Sequence, residues 1–414
     1  MKNYRLLPLL FAIALLSLQS IYAQMEWIEI TDSAGWLSRS NHTLVVFDNK
    51  LWVLGGWDMT NYYNDIWYST DGVNWRCAIE SSGWSRRAFH TSLVYNNQVW
   101  VMGGHEGFGH YKNDVWCSAD CINWTRVTIV ADWSMRFGHS AVTFNNRMWI
   151  MGGSDRNGYK NDVWFSTDGF SWTLADSTAD WQKRFYHASV VFDNKIWVLG
   201  GNSMYGDLND VWYSADGINW TCATNSAEWC ARQNHQAVVF DNKIWVLGGK
   251  SGGSNLNDVW FSSDGINWFS ANNSAGWSER YGFTSAAYDN KIWVLGGKAN
   301  NYCDDVWSSC GFLSFEANNK TAATLVLKAI SPNPFNSRVQ IVYTLSKPSF
   351  VKISIYNRAG RKIKVLVSKR QEAGLHNTQW QGKNDSDKTL PTGIYLIRLE
   401  IDGLSMFKKI VKIS

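Results

Sequence analysis

The sequence predicts an all-β fold: a six-bladed β-propeller closed by its N-terminal strand, followed by a C-terminal β-sandwich. Three observations carry that prediction. A Gly-Gly pair recurs at Gly55-Gly56, Gly103-Gly104, Gly152-Gly153, Gly200-Gly201, Gly248-Gly249 and Gly296-Gly297, at intervals of 48, 49, 48, 48 and 48 residues. Each interval holds four short apolar segments divided by turn residues. The sixth unit lacks its fourth segment, and a counterpart stands at the other end of the chain, Met25 to Ile30 followed by Ala34-Gly35-Trp36. Four-stranded units in a ring, with one blade shared between the two ends, account for all three. A linear stack of sheets would have no use for the split unit.

Residues 1–23 read as a signal peptide. Lys2 and Arg5 supply the positive start, Leu6 to Leu18 an apolar run, and Ala23 a small residue before Gln24. The run is short for a bilayer span of about 20 residues. No later segment is long and apolar enough to span, so a chain without a transmembrane segment, secreted or held at the cell surface, is expected.

The propeller is expected over residues 24–312. Each unit reads W-x-x-R-x-x-H-x-x-V-x-F-D-N-K-I-W-V-L-G-G, then a variable loop, then N-D-V-W-Y-S-x-D-G-x-N-W. The first strand runs from the His to the V-x-F segment, as in His187 to Phe192. A two-residue Asp-Asn or Asn-Asn turn of the kind that tolerates positive φ follows. I-W-V-L makes the second strand, D-V-W-Y the third, and the residues around N-W-T the fourth. Apolar residues at adjacent strand positions imply burial on both faces, as for a blade between two neighbours. Of 26 Trp, four per unit fill that space, for example Trp181, Trp197, Trp212 and Trp220. None of the 5 Pro falls between Gln24 and Ser331, which suits uninterrupted strands.

Beyond the propeller, residues 313–330 read as a linker with one edge strand, and residues 331–414 as a second domain. There, alternating segments at Val339–Leu345, Val351–Tyr356, Ile363–Val367, His376–Trp380, Ile394–Ile401 and Phe407–Ile413 suggest an Ig-like sandwich. Charge divides with the domains. From Phe312 onward 17 Lys and Arg face 6 Asp and Glu, a net of +11, while the propeller carries 20 basic against 29 acidic residues, a net of −9. An acidic domain of that size argues against a nucleic-acid partner. Seven Cys in an exported chain permit disulfides, with Cys117–Cys121 and Cys222–Cys230 as candidate pairs.

The repeated Gly-Gly, the R-x-x-H lead-in and the period resemble the kelch family, the galactose oxidase-like propellers, over residues 25 to 310. That resemblance implies a fold, not one function, because the family includes peptide-binding modules, a copper oxidase and a sialic acid mutarotase. The S-x-D-G-x-x-W turn looks like a shortened Asp-box, which is structural in the families that carry it. In the C-terminal segment, P-N-P-F-N at 332–336, the Tyr356-to-Gly360 turn, G-x-H-x-x-x-W at Gly374 to Trp380 and P-T-G-I-Y at 391–395 resemble the type IX secretion C-terminal sorting domain and its FlgD-like Ig relatives. This resemblance implies the type IX secretion machinery as a partner and delivery to the cell surface. A plain structural Ig-like domain that stays attached is the alternative.

Residues repeated in every blade are expected to serve packing. His42, His90, His139, His187 and His235, with Phe283 in the sixth place, invite a metal, yet a ligand set needs convergence on one point. No metal or cofactor is expected. Arg39, Arg87, Arg136, Arg184, Arg232 and Arg280 are expected to bond loop carbonyls between blades, with room for some to face an anion. Asp65, Asp114, Asp162, Asp210, Asp258 and Asp305 are expected to satisfy turn amides, and Asp71, Asp120, Asp168, Asp216 and Asp264 belong to the hairpin turns.

Function is therefore sought among unrepeated residues beside the Arg and after the Gly-Gly. These are Trp57, Tyr62, Phe89, His105, Phe108, His110, Phe137, Arg156, Tyr159, Tyr186, Tyr205, Asn234, Lys250, Tyr281 and Lys298, with Glu106 beside them. An aromatic and polar rim suits a glycan or protein ligand. The enzymatic alternatives are a sugar isomerase using Glu106 and Arg156, or a copper radical oxidase built from Cys303 beside Tyr302 with His105 and His110.

Overall fold

The computed structural model describes residues 25–107, 109–309, 325–345, 347–357, 362–401 and 404–413. The expected signal peptide, most of the linker and Phe108 lie outside them. Six four-stranded antiparallel sheets form the propeller. Blade 1 consists of Thr43–Phe47, Lys50–Trp57, Tyr62–Ser69 and Arg76–Ile79. Blades 2 to 5 repeat this order, beginning at Thr91, Ser140, Ala188 and Gln236. Each innermost strand packs against the next, and that of blade 1 against Thr284–Tyr288 of blade 6, so the ring is closed.

Blade 6 is completed as the split unit requires. Its strands Thr284–Tyr288, Lys291–Lys298 and Tyr302–Ser309 are joined by Trp27–Thr31, with Trp27 opposite Ser309 and Ile28 opposite Ser308. Trp27 also takes the place of a fourth-strand Trp. In every blade the buried Trp four residues or fewer before the Arg meets a fourth-strand Trp edge-on, as in Trp36–Trp75 at 6.2 Å and Trp181–Trp220 at 5.9 Å. In blade 6 the pair is Trp277–Trp27 at 5.9 Å, with the rings 88° apart. T-shaped packing of this kind adds to the area the rings bury.

The turn chemistry follows from the local sequence. Asp193 and Asn194 have φ of 48° and 54°, and the other first hairpins share this left-handed pair. In the S-x-D-G turns, Asp71 Oδ1 accepts from the backbone N–H of Val73 and Asn74 at 2.9 and 2.8 Å. A Cβ on the Gly of these turns would run into the second-strand Trp of the preceding blade, as for Gly217 and Trp149. Blade 2 carries Cys121 there, buried and at φ 61°.

Cysteine pairing departs from expectation. Cys117, Cys121, Cys222 and Cys230 are all free. Cys117 packs into the apolar core around Trp100 and Trp172, whereas Cys121 packs into the neighbouring core around Trp52 and Trp84. The hairpin turn places the two thiols in different inter-blade layers despite their spacing. Cys222 instead donates to Asn225 Oδ1 at 3.1 Å.

The C-terminal region is a sandwich of a three-stranded sheet, Leu325–Ser331, Val339–Leu345 and Gly374–Trp380, and a four-stranded sheet, Lys362–Gln371, Ser349–Asn357, Gly393–Ile401 and Leu404–Lys412. Its core explains the motifs. Phe335 of P-N-P-F-N lies 5.5 Å from Trp380, which lies 5.0 Å from Tyr395 of P-T-G-I-Y. Phe335 N–H donates to the carbonyl of Val411 and its own carbonyl accepts from Ile413, tying the motif to the final strand. Among the described residues, no helix is long and apolar enough to cross a membrane.

Candidate functional site

The repeated polar residues form an inner framework. Each repeated Arg is buried and makes a two-pronged ion pair with the repeated Asp just before or within the third strand of its own blade. Arg136 Nη1 and Nη2 reach Asp162 Oδ1 and Oδ2, both at 2.7 Å, and the other five pairs match. Nη1 also donates to the carbonyl of the first Gly of the Gly-Gly pair, Gly152 in this blade, at 2.9 Å. A carbonyl acceptor was expected, but it lies within the Arg's own blade rather than between blades; the carboxylate partner corrects the expectation that these Asp serve turn amides. Their second oxygen accepts from an indole N–H, as from Trp164 Nε1 to Asp162 at 2.8 Å. With carboxylate and carbonyl occupying each fork, no repeated Arg is left open to a bound anion among the described residues.

The repeated His lie between blades. Nε2 of His90, His139 and His42 sits 3.1 Å from the hydroxyls of Thr43, Thr91 and Thr284, and Nε2 of His187 sits 2.8 Å from that of Ser140. In each pair the hydroxyl belongs to the preceding blade. The repeat position that would serve His235 is Ala188, and among the described residues the buried His235 Nε2 meets no hydroxyl. Gln236 has no His to serve, because blade 6 carries Phe283. Burial, assisted by Arg39, Arg136 and Arg232 respectively, lowers His42, His139 and His235 to pKa about 3. His90 and His187 move in the same direction for the same reason.

These His explain the Gly-Gly motif. A Cβ on the second Gly would stand 2.8 Å from the Cβ of the same blade's His, as for Gly56 and His42. A Cβ on the first would stand 2.9 Å from Cε1 of the next blade's His, as for Gly55 and His90. Both glycines are also left-handed, with φ of 61° and 104° at Gly55 and Gly56.

The His and hydroxyl strands surround a central channel of about 210 Å³. At its mouth, six residues two positions after the repeated Arg are all left-handed: Asn41, Phe89, Gly138, Tyr186, Asn234 and Gly282. Each donates its backbone N–H to the carbonyl of its counterpart in the preceding blade, at 2.6 to 3.1 Å, and the sixth bond closes the circle. The side chains follow the ring round. Tyr186 lies over Gly138, where a Cβ would meet its ring at 2.7 Å.

Outside this ring each blade presents three further positions. The residue after the Arg bridges to the residue after the Gly-Gly, as in Ser40–Trp57, Phe137–Ser154 and Tyr281–Lys298. That residue in turn faces one on the third-strand side, as in Trp57–Tyr62, Asn202–Asp207 and Lys298–Tyr302. Blades 1 to 3 fill these places mainly with rings. Trp57 stacks on Tyr62 at 5.8 Å, Tyr62 meets His105 at 5.4 Å, and His105 stacks on Phe89 at 4.9 Å and meets Phe137 at 5.2 Å. Phe137 and Phe89 both reach Tyr186, at 6.0 and 5.3 Å, and Tyr159 stacks on Phe185 at 4.6 Å. Blades 4 and 5 fill the same places with Asn202, Asp207, Gln233, Lys250 and Asn255 after Phe185. Blade 6 combines Tyr281, Lys298 and Tyr302.

The structure thus joins Trp57, Tyr62, Phe89, His105, Phe137, Tyr159 and Tyr186 in one arc of rings, with Asn234, Lys250, Tyr281 and Lys298 on the rest of the circle. Tyr205 is set apart at a hairpin tip, 80% exposed. His110 is exposed but lines a shallow pocket with Tyr62 and Glu106, and Arg156 lies on an exposed turn, where its Nη2 donates to the Gly109 carbonyl at 2.8 Å. Glu106 pairs with Lys112 at 2.7 Å rather than with Arg156. Burial drives His105 down to pKa about 4. Among the described residues no group of three or more His, Cys, Asp or Glu converges as a metal site would need.

Two residues of the arc were missed, Tyr111, 5.0 Å from Phe137, and Phe185, 4.1 Å from Tyr186; Tyr302, named only beside Cys303 for a copper site, instead joins the arc 6.2 Å from Trp57. The signal for Phe185 was available, since it follows the repeated Arg184 as Phe137 and Tyr281 follow Arg136 and Arg280. Tyr111 and Tyr302 are set by hairpin register across loops of unequal length, which the repeat does not display.

No curated protein matches the chain significantly. The model of the KLHDC2/KLHL20/DRC7 Kelch-repeats domain matches residues 12–153, 89–223 and 138–334, and that of the FlgD Ig-like domain matches residues 333–403. With those overlapping matches running through all six blades, the chain belongs to the kelch-repeat family, as a propeller followed by a FlgD Ig-like domain.

Proposed function

We propose that this is a secreted or cell-surface binding protein whose propeller recognises a glycan or protein ligand at the channel mouth. In this reading residues 24–312 are the recognition domain, and residues 331–414 are the export signal for type IX secretion machinery. One observation carries the binding reading. The repeat framework is six-fold, yet the mouth positions divide into an arc of half-buried rings over blades 1 to 3 and a mainly polar arc over blades 4 and 5. Packing demands no such division. A ligand with an apolar face and hydrogen-bonding edges would use it, stacking on the rings and meeting the amides opposite.

Glycan-array and pull-down screens with the full chain and a W57A/F89A variant test this. A ligand held by the parent and lost by the variant supports the reading; ligands held equally by both would move the site elsewhere. Export is tested separately, by following where the chain accumulates when residues 331–414 are removed. The isomerase alternative rests on Glu106 and Arg156, which are engaged by different partners, and a mutarotation assay on the same protein would revive it.

A further inference from the structure

Of the nine lysines between Met25 and Ser309, six pair with a carboxylate: Lys50, Lys112, Lys160, Lys195, Lys243 and Lys291. Lys183 is exposed. Lys250 and Lys298 differ from all of these. Both are half-buried at the channel mouth, at the same register position of adjacent blades, and neither has a carboxylate partner among the described residues. The repeat does not require a cation there, since its counterparts are Trp57, His105, Ser154 and Asn202.

Their surroundings make a continuous platform. Lys250 Nζ stands 5.3 Å from the Tyr281 ring centroid, Tyr281 bridges to Lys298, and Lys298 Nζ stands 4.4 Å from the Tyr302 ring centroid. Tyr302 meets Trp57, the end of the aromatic arc. The nearby carboxylates are occupied. Asp207 accepts from Asn202 and Gln233 at 2.8 and 2.9 Å and from Gly252 N–H at 3.0 Å. Asp58 accepts from Tyr63 and from the N–H groups of Thr60 and Asn61. Lys298 Nζ donates to the neutral Asn300 carbonyl at 2.9 Å, and two half-buried lysines without a carboxylate in ion-pair contact attract an anion more strongly than paired lysines do.

We infer that Lys250 and Lys298 form an anion subsite for an acidic sugar, carboxylated or sulfated, within a glycan chain whose neighbouring residues stack on the aromatic arc. This rests on the binding reading above. A sugar is favoured over an acidic peptide because flat rings and side-chain amides, here Gln233 and Asn234, match the C–H face and hydroxyl edge of a pyranose.

The test titrates the full chain with oligogalacturonate and its carboxyl-reduced counterpart, and with a carrageenan oligosaccharide and its desulfated counterpart. The same titrations use a K250Q/K298Q variant whose melting temperature is checked against the parent. At least one acidic member should bind about tenfold or more tighter than its neutral counterpart, and the variant should lose that preference. Equal binding of acidic and neutral members, a preference that survives in the variant, or capture of polyglutamate but of no oligosaccharide would each overturn the inference. Acidic and neutral sugars bound equally by the parent, on a face that W57A/F89A abolishes, would sink the anion subsite yet leave the recognition face standing. Failure of every oligosaccharide and peptide to bind the parent sinks both.

Discussion

The backbone N–H of Asn41 donates to the carbonyl of Gly282 at 2.6 Å, joining blade 1 to blade 6 and closing the ring of six backbone hydrogen bonds at the channel mouth. Every residue in that ring is left-handed, a conformation that costs a residue with a side chain about 1 kcal/mol or more. The circle therefore sets which substitutions the mouth tolerates.

Gly138 and Gly282 test this with a graded outcome. A Cβ on Gly282 meets the end of the Asn41 side chain at 2.8 Å, which can swing away. A Cβ on Gly138 meets the Tyr186 ring, which is packed among Phe89, Phe137 and Phe185. Gly282→Ala should cost about 1 kcal/mol and Gly138→Ala should cost more. Equilibrium denaturation that ranks them in the opposite order would refute the packing argument.

His235 offers a stabilising substitution. Among the described residues its buried Nε2 meets no hydroxyl, where the equivalent atoms of four other His do. Ala188→Ser should supply that hydroxyl and add about 0.5–1.5 kcal/mol. Thr91→Ala, which strips the partner from His139, should cost about 1–3 kcal/mol. Thermal melts of the two variants should move in opposite directions.

The buried His also set an acid limit. Their folded pKa values lie far below the ordinary 6.5, to about 3 for His42, His139 and His235, so the unfolded chain binds protons more tightly than the folded one. Stability from this source is complete above pH about 6.5 and falls as the pH drops from there toward about 3. His139→Gln should flatten that part of the curve in urea titrations at stepped pH. An unchanged slope would mean the ring is not neutral in the folded protein.

Breaking one Arg–Asp fork should be severe. Arg136→Ala strands the part-buried carboxylate of Asp162 and leaves the Gly152 carbonyl without its donor, a loss of about 3–5 kcal/mol. An Arg136→Met, Asp162→Leu double variant should recover part of it, because no charge is then left unpaired. Denaturation midpoints that fall further in the double variant would show that the fork contributes more than charge pairing.

Removing residues 25–31 uncovers the edge of Tyr302–Ser309 and takes Trp27 from Trp277. The melting temperature should fall by several degrees and the chain should associate through the open edge. Light scattering that shows an unchanged monomer with an unchanged melt would contradict closure of the ring through this strand.

The ring was legible in the sequence because its evidence is local and written six times. Val339–Leu345 in the sandwich was equally legible from its alternating residues. The candidate site was legible only in part. Trp57, Tyr62, Phe89, His105 and Phe137 stand at unrepeated positions beside repeated ones, which is a signal in the sequence. Tyr111 and Tyr302 carry no such signal, and Tyr205 carries a false one, since it follows a Gly-Gly yet sits at an exposed hairpin tip.

By itself the sequence determined the number of blades, their turns, and which terminus completes which blade, because strand period, left-handed turn residues and repeat spacing all act over a few neighbouring residues. Tertiary structure alone decided that Asp162 answers Arg136 from 26 residues away, that a hydroxyl serves the His one blade further on, and that Cys117 and Cys121 enter different cores. It also decided that Lys250, Tyr281, Lys298 and Tyr302 share one side of the mouth. Each of these depends on how twisted sheets set side by side bring together residues that the chain keeps apart, and neither spacing nor periodicity records that direction.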